Sequence, residues 1–361
     1  MEGTLTIPML LAAAGGDKIF GWIPALVWYS GIKIFAAVIL VLVMVAYTVW
    51  VERKVSAAIQ DRIGPNRVGP MGLLQPLADG VKAFLKEDFV PGHVRKVYFW
   101  LAPGLMLLPG LLTVAIIPFG SKMGSEDMVI ANLNVGVLYT FGIVSLSVYG
   151  IVLAGYASNS KYPFLGGIRS SAQMISYEIA MGLSVIPVFL MVGDLNLGQV
   201  VGYQGGGLFH WMVFKAPLSF VIFVAAAFAE TNRLPFDMPE AENELVAGYN
   251  IEFSSIKFAL FFMGEYASMI AVSALMTTLF FGGWTLPIFG LDQPATSLAG
   301  GVLHMAIFLG KTCCFIFLMV WVRWMWPRFR FDQLMDLGWR RFIPLALANI
   351  VITAVVLWMR A

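Results

Sequence analysis

Long apolar runs, nearly free of charge, alternate with shorter polar stretches along the whole chain. About 20 helical residues at a 1.5 Å rise cross the hydrocarbon of a bilayer. Eight runs approach or exceed that length: residues 29–51, 99–119, 135–157, 175–192, 211–229, 258–283, 302–322 and 342–359. The runs do not show the two-residue alternation of barrel strands, and a helix satisfies its own backbone hydrogen bonds in lipid. The pattern therefore predicts an all-α integral membrane protein. Residues 1–361 form a single polytopic domain with about eight transmembrane helices and structured cytoplasmic loops.

Composition agrees with the pattern. The chain is 59% hydrophobic, 12% charged and has a mean hydropathy of +0.82, which is incompatible with a water-soluble surface. The opening "MEGTLTIPMLLAAAGGD" lacks the basic start of a secretory signal, so it is expected to be retained and to lie at the interface. Seventeen of the 23 Lys and Arg residues fall in the loops 52–98, 158–174, 230–257 and 323–341. Those loops should face the cytoplasm, with both termini on the other side.

The missing residue types narrow the chemistry. The two cysteines, Cys313 and Cys314, are adjacent within the seventh span, and the three histidines are far apart in sequence. Four-cysteine iron–sulfur ligation, paired haem histidines, a Gly-rich dinucleotide turn and a P-loop are all lacking. The chain alone is expected to bind no flavin, nicotinamide, nucleotide or metal, and it shows no sign of a nucleic-acid partner.

The polar loops carry the candidate chemistry. The first begins with Glu52-Arg53-Lys54, where a snorkelling positive flank accounts for the bases but less well for Glu52. "RIGPNRVGPMG" follows as a shaped, turn-rich loop, and "GLLQPLADGVKAFLKE" then reads as an interfacial amphipathic helix. Glu178 and Glu265 lie inside the fourth and sixth spans, where a carboxylate is costly and faces a partner or a wet cavity. Lys311 in the seventh span is open between a structural ion pair and a functional charge. "AETNRLPFDMPEAENELVAGYN", residues 229–250, gathers Glu230, Asp237, Glu240, Glu242 and Glu244 around one base, Arg233. Pro235 should end the preceding helix near Leu234, and Arg233 and Asp237 are placed to pair across it. Crowded carboxylates repel one another and titrate as a coupled set. A solvated acidic loop that repels wrong partners is the plainer alternative.

Three segments carry a resemblance: "VERKVSAAIQDRIGPNRVGPMGLLQPLADGVKAFLKE", "IRSSAQMISYE" and "AETNRLPFDMPEAENELVAGYNIEF…GEYASMI". They resemble the hallmark segments of the subunit-1 (H-type) family of respiratory complex I, the bacterial proton-translocating NADH:quinone oxidoreductase. The resemblance runs from about Tyr29 into the last span. Met238, where leucine is common, and the "IRSS" wording depart from it without touching a charged position.

The resemblance implies a non-redox subunit of a multi-subunit translocase of the bacterial inner membrane, inactive alone. Such a subunit forms the quinone-access chamber with hydrophilic partner subunits and leads a chain of acids toward the membrane-arm subunits. FMN and iron–sulfur clusters are then expected in the partners, and a quinone such as ubiquinone is the substrate. Glu52, Arg53, Arg62, Asp79, Arg169, Arg233 and Asp237 become the chamber candidates. Glu178, Glu230, Glu240, Glu242, Glu244, Glu252 and Glu265 become the proton-path candidates. The rivals are a homologous subunit of a quinone-reducing complex with another electron donor, and an ion-coupled transporter. A transporter should show two related halves with broken helices, and no convincing internal repeat is visible. A mere anchor for a peripheral enzyme would not need carboxylates within its spans.

Overall fold

The computed structural model describes residues 18–19, 23–123, 126–238, 248–287, 290–295 and 297–360. Among these, the only strands are four of two residues each, paired as the hairpins β1–β2 (Lys18–Ile19, Ile23–Pro24) and β3–β4 (Lys122–Met123, Glu126–Asp127). The rest of the regular structure is helical. The opening segment 1–17, expected at the interface, lies outside the described residues.

Among the described residues, seven stretches are long and apolar enough to cross a membrane: Ser30–Ile59, Lys96–Ile116, Gly136–Ala157, Lys161–Val192, Ser255–Phe280, Leu298–Met325 and Phe331–Arg360. The fifth expected span differs. The four-residue α8 (Met212–Lys215) is followed after a break at Ala216 by α9 (Pro217–Glu230), which has 14 residues. At 1.5 Å per residue α9 is roughly 21 Å long, short of the hydrocarbon core. Proline at its first position explains the break, because it lacks the N–H that would join α8 to α9. α9 also ends at Glu230, four residues before Leu234, with Thr231 as its C-cap.

The other helices follow in order. α1 (Ala25–Ile59) carries Glu52 and Arg53 near its end. Its 35 residues reach roughly 52 Å, more than lipid alone requires, so the last turns stand clear of the hydrocarbon. α2 (Gln75–Leu85) is the expected amphipathic helix, with Pro76 in its first turn. α3 (Lys96–Thr113) is followed by α4 (Gly136–Val144) and α5 (Leu146–Ala157), which together make one crossing. α6 (Lys161–Val192) starts well before the expected boundary at 175, so Arg169 sits on a helix and not in a loop. Beyond α7 (Leu197–Tyr203), α8 and α9 come α10 (Ser255–Phe280), α11 (Leu298–Met325), the short α12 (Phe331–Asp336) and α13 (Ile343–Arg360). A π turn at Leu337–Phe342 joins the last two.

α10 is the axis of the bundle, packing on α1, α2, α3 and α11, while α6 packs on α5, α9 and α13. Small residues let α3, α5 and α10 meet closely. A Cβ at Gly264 would come within 2.9 Å of Met106 O, and one at Gly150 within 2.9 Å of Met106 N. The outer faces stay apolar, as at Phe35, Trp100, Leu138 and Val351, where lipid and not water is the fitting solvent.

Candidate functional site

The ends of α1 and α11 meet the interior of α10 and the loop after α9, and there Glu52, Arg233 and Glu265 are buried together with the half-buried Arg323 beside them. Arg233 is 3% exposed. Its Nη1 donates to Glu52 Oε1 and Oε2 at 3.0 and 2.9 Å. Its Nε lies 3.0 Å from Glu265 Oε1, an ion pair lacking hydrogen-bond alignment. Arg323, from the end of α11, donates to Glu52 Oε1. The Tyr266 hydroxyl donates to Glu52 Oε2 at 2.8 Å, and the Arg233 guanidinium stands 4.3 Å from the centre of the Tyr266 ring. Burial works against the charge on Arg233, but Glu265, Tyr266 and Glu52 outweigh it and hold the guanidinium protonated beyond its ordinary range. Two carboxylates and two guanidiniums balance formally.

The expected Arg233–Asp237 pair does not form. Arg233 turns inward to Glu52, 181 residues away in sequence, and Asp237 accepts from Arg328 Nη2 at 2.7 Å. A charge-assisted contact from Nη1 to both oxygens of a buried carboxylate, with Glu265 beside it, outcompetes a neighbour four residues along the loop. The loop itself is pinned by Gln173 on α6, whose Nε2 donates to Ala229 O at 2.8 Å and Phe236 O at 2.7 Å. Phe329 stacks on Phe236 at 5.5 Å and its N–H donates to Pro235 O at 3.1 Å. Gln173→Leu strands two buried carbonyls at about 1–3 kcal/mol. Faster amide exchange at Arg233 and Phe236 in the variant, followed by mass spectrometry, is the expected result.

Glu230 differs from the cluster acids. It is 3% exposed, and neither of its carboxylate oxygens has a hydrogen-bond partner among the described residues. Glu178 on α6 is close enough for the two charges to act on each other. Glu178 is half-buried and lines an apolar cavity of 1020 Å³ with Ile175, Ile179, Val185 and Asp194.

A second cavity, of 410 Å³, lies between α1, α2 and α10. Val45 and Val49 come from α1, Pro76 and Ala83 from α2, and Phe258 and Phe262 from α10. Its polar edge is Arg53, whose Nη1 donates to Asp79 Oδ2 at 2.6 Å, with Gln75 Nε2 donating to Asp79 Oδ1 at 3.0 Å. Glu52 is the next residue to Arg53, and Glu265 lies two residues beyond the lining Met263, so the charged cluster and this cavity share helices.

The remaining candidates are more scattered. Arg62 is exposed, donates from Nε to Gln60 Oε1 at 2.7 Å and lines a 470 Å³ loop cavity with Arg53 and Arg67. Arg169 Nη2 lies 3.7 Å from Met238 Sδ, and its guanidinium stands 5.4 Å from the Phe331 ring. Glu252 stands apart, 3.8 Å from His93 Nε2. Glu240, Glu242 and Glu244 lie outside the described residues. Among the described residues Lys311 forms no carboxylate pair: its amine donates to Phe281 O, Gly283 O and Thr285 O at 2.7, 3.0 and 2.7 Å, satisfying the non-helical backbone after α10. Among the described residues, no group of three or more His, Cys, Asp and Glu is placed to hold a metal ion.

Sequence reasoning missed Arg323, Arg328, Tyr266 and Gln173. The two arginines read as a positive-inside flank, and Tyr266 was visible only as the neighbour of Glu265. An amide inside an apolar helix, as at Gln173, was the one available signal for a loop clamp.

The family model for NADH dehydrogenase matches residues 32–354. The chain is 50% identical over 345 residues to the H-type subunit of the NADH-quinone oxidoreductase of Paramagnetospirillum magneticum, covering 94% of this chain and 96% of the relative. It is 47% identical over 334 residues to NADH-quinone oxidoreductase subunit 8 of Rhodothermus marinus, covering 91% and 96%. An H-type subunit of the NADH-quinone oxidoreductase of Koribacter versatilis is 46% identical over 340 residues, covering 90% and 95%.

Proposed function

As the chain belongs to the NADH dehydrogenase family and is an H-type membrane subunit of NADH-quinone oxidoreductase, we propose that its α1–α2–α10 cavity admits quinone. In the same reading, reduction of that quinone shifts protons among the buried carboxylates beside it. The family makes the chain a multi-pass membrane subunit working with other subunits of the complex.

The observation that carries the proposal is the shared frame. An apolar cavity suited to a polyprenyl tail has a polar edge at Arg53 and Asp79. Its walls continue into the Glu52–Arg233–Glu265 cluster. A quinone taking up two electrons must also take up two protons, and the charge change acts on any carboxylate held in low dielectric. Glu230 and Glu178 are the next acids, and Glu240, Glu242 and Glu244 belong to the same loop in sequence. Within this reading the chain holds no prosthetic group. Flavin mononucleotide and iron–sulfur clusters reside in partner subunits, and the whole sits in the bacterial inner membrane with its basic loops in the cytoplasm.

Filling the cavity tests the reading. In the assembled complex, Ala46→Phe should lower quinone reduction at least tenfold while an artificial hydrophilic acceptor is still reduced. Arg53→Ala, Arg62→Ala and Arg169→Ala should show the same contrast to a smaller degree. Normal quinone turnover in Ala46→Phe would remove the cavity from the path, and equal loss with both acceptors would signal failed assembly.

A further inference from the structure

The helix α2 walls the 410 Å³ cavity, yet none of its own residues is buried. A helix with so little burial takes its place largely from its ties. Near its start, Arg53 on α1 holds Asp79 at 2.6 Å. Its far end is held by the first turn of α10. The Ser255 hydroxyl lies 2.9 Å from Ala83 O and 2.8 Å from Lys86 O, acceptors left open where α2 ends. Just beyond, Lys257 Nζ donates to both oxygens of Asp88 at 2.8 and 2.7 Å. Lys257 is 2% exposed, and its amine stands 3.8 Å from the centre of the Trp100 ring. Ser255 also holds a φ of +54°, a conformation that side chains other than glycine rarely adopt. The backbone is thus bent at the residue whose hydroxyl reaches across.

Ala83 lines the cavity from α2, and Phe258 and Ala259 line it from α10 directly after the tie. We propose that Ser255 and Lys257 are positioning residues that fix the gap between α2 and α10, and so determine how well the cavity grips a long polyprenyl tail. The proposal rests on the reading of this cavity as the quinone passage. Contact attraction falls steeply when one wall drifts by an ångström. A long tail touches both walls and feels the drift. A quinone with a single isoprenoid unit leaves most of the passage unfilled and feels it little.

The experiment compares kcat/KM in the assembled complex for a long-tailed ubiquinone and its one-isoprenoid analogue. Ser255→Ala should lower the long-to-short ratio about fivefold, chiefly through KM for the long-tailed substrate. Ser255→Gly should do the same, because it relieves the backbone but also removes the hydroxyl. Asp88→Asn should move the ratio in the same direction. A ratio unchanged in all three variants, or equal losses for both quinones, overturns the clamp while leaving the passage intact. Ala46→Phe separates the two ideas: normal turnover of both quinones in that variant overturns the passage and the clamp with it.

Discussion

Arg233→Ala is expected to empty the membrane of assembled complex. The side chain is 3% exposed and is shared between Glu52 and Glu265. Removing one partner of a buried ion pair costs about 3–5 kcal/mol, because the other charge stays buried without compensation. Glu52 keeps Arg323 and the Tyr266 hydroxyl. Glu265 loses the cation 3.0 Å away and Glu52 loses one of its two, so both buried carboxylates are weakened at once. Native gels and thermal unfolding of the extracted complex measure the loss. Arg233→Lys should recover only part of it, since an ammonium cannot span both carboxylates as the guanidinium does. Combining Arg233→Met with Glu265→Gln should recover more, because it also withdraws a carboxylate that has lost its nearest cation. Parental amounts of complex in Arg233→Ala would mean that the buried charges are not dry.

Glu230→Gln is expected to leave assembly intact and lower both quinone reduction and proton pumping tenfold or more. An ionised carboxylate buried without partners is costly. Both oxygens of Glu230 are in that position, so the site is built to be shared with a proton. Glutamine keeps the shape and cannot exchange that proton. Glu178→Gln should behave alike, because its charge acts on Glu230, and Glu240→Gln, Glu242→Gln and Glu244→Gln extend the series along the loop. Glu252→Gln, remote from the cluster beside His93, should change either rate by less than twofold. The measurements are reductase rate and pH-gradient formation in sealed vesicles. Parental rates in Glu230→Gln together with Glu178→Gln would reduce the acids to electrostatic scaffolding.

The spans were legible in sequence because lipid imposes one requirement, a long apolar run, and α1, α10 and α11 meet it plainly. α9 did not declare its shortness: apolar residues run back to Trp211, and only Lys215 and Pro217 mark the break. α6 begins before the boundary that hydropathy set at 175, although Gly166 and Gly167 disfavour a helix, because there they pack closely against the backbone of Gly248 and of α5. Within the site, Glu52 stood out as an acid in a basic flank, and Glu265 as an acid inside a span. Their partner did not, because nothing local separates Arg233 facing Asp237 from Arg233 facing Glu52. That choice is made by long-range packing, when α1 and α10 bring two carboxylates to a guanidinium that already needs company. Lys311 was similarly undecidable, since carbonyls freed by a break in backbone geometry leave no trace in residue type.

The close meeting of α3, α5 and α10 bears on the voltage across the membrane. At Gly150 and Gly264 the backbone of Met106 comes so close that a single added Cβ would collide with it. Glu265 lies one residue from that seam. In the proposed reading Glu265 takes part in moving protons under a potential, and an acid in that role requires an insulator at its back. Glycine packed directly on backbone is the arrangement that suits that need.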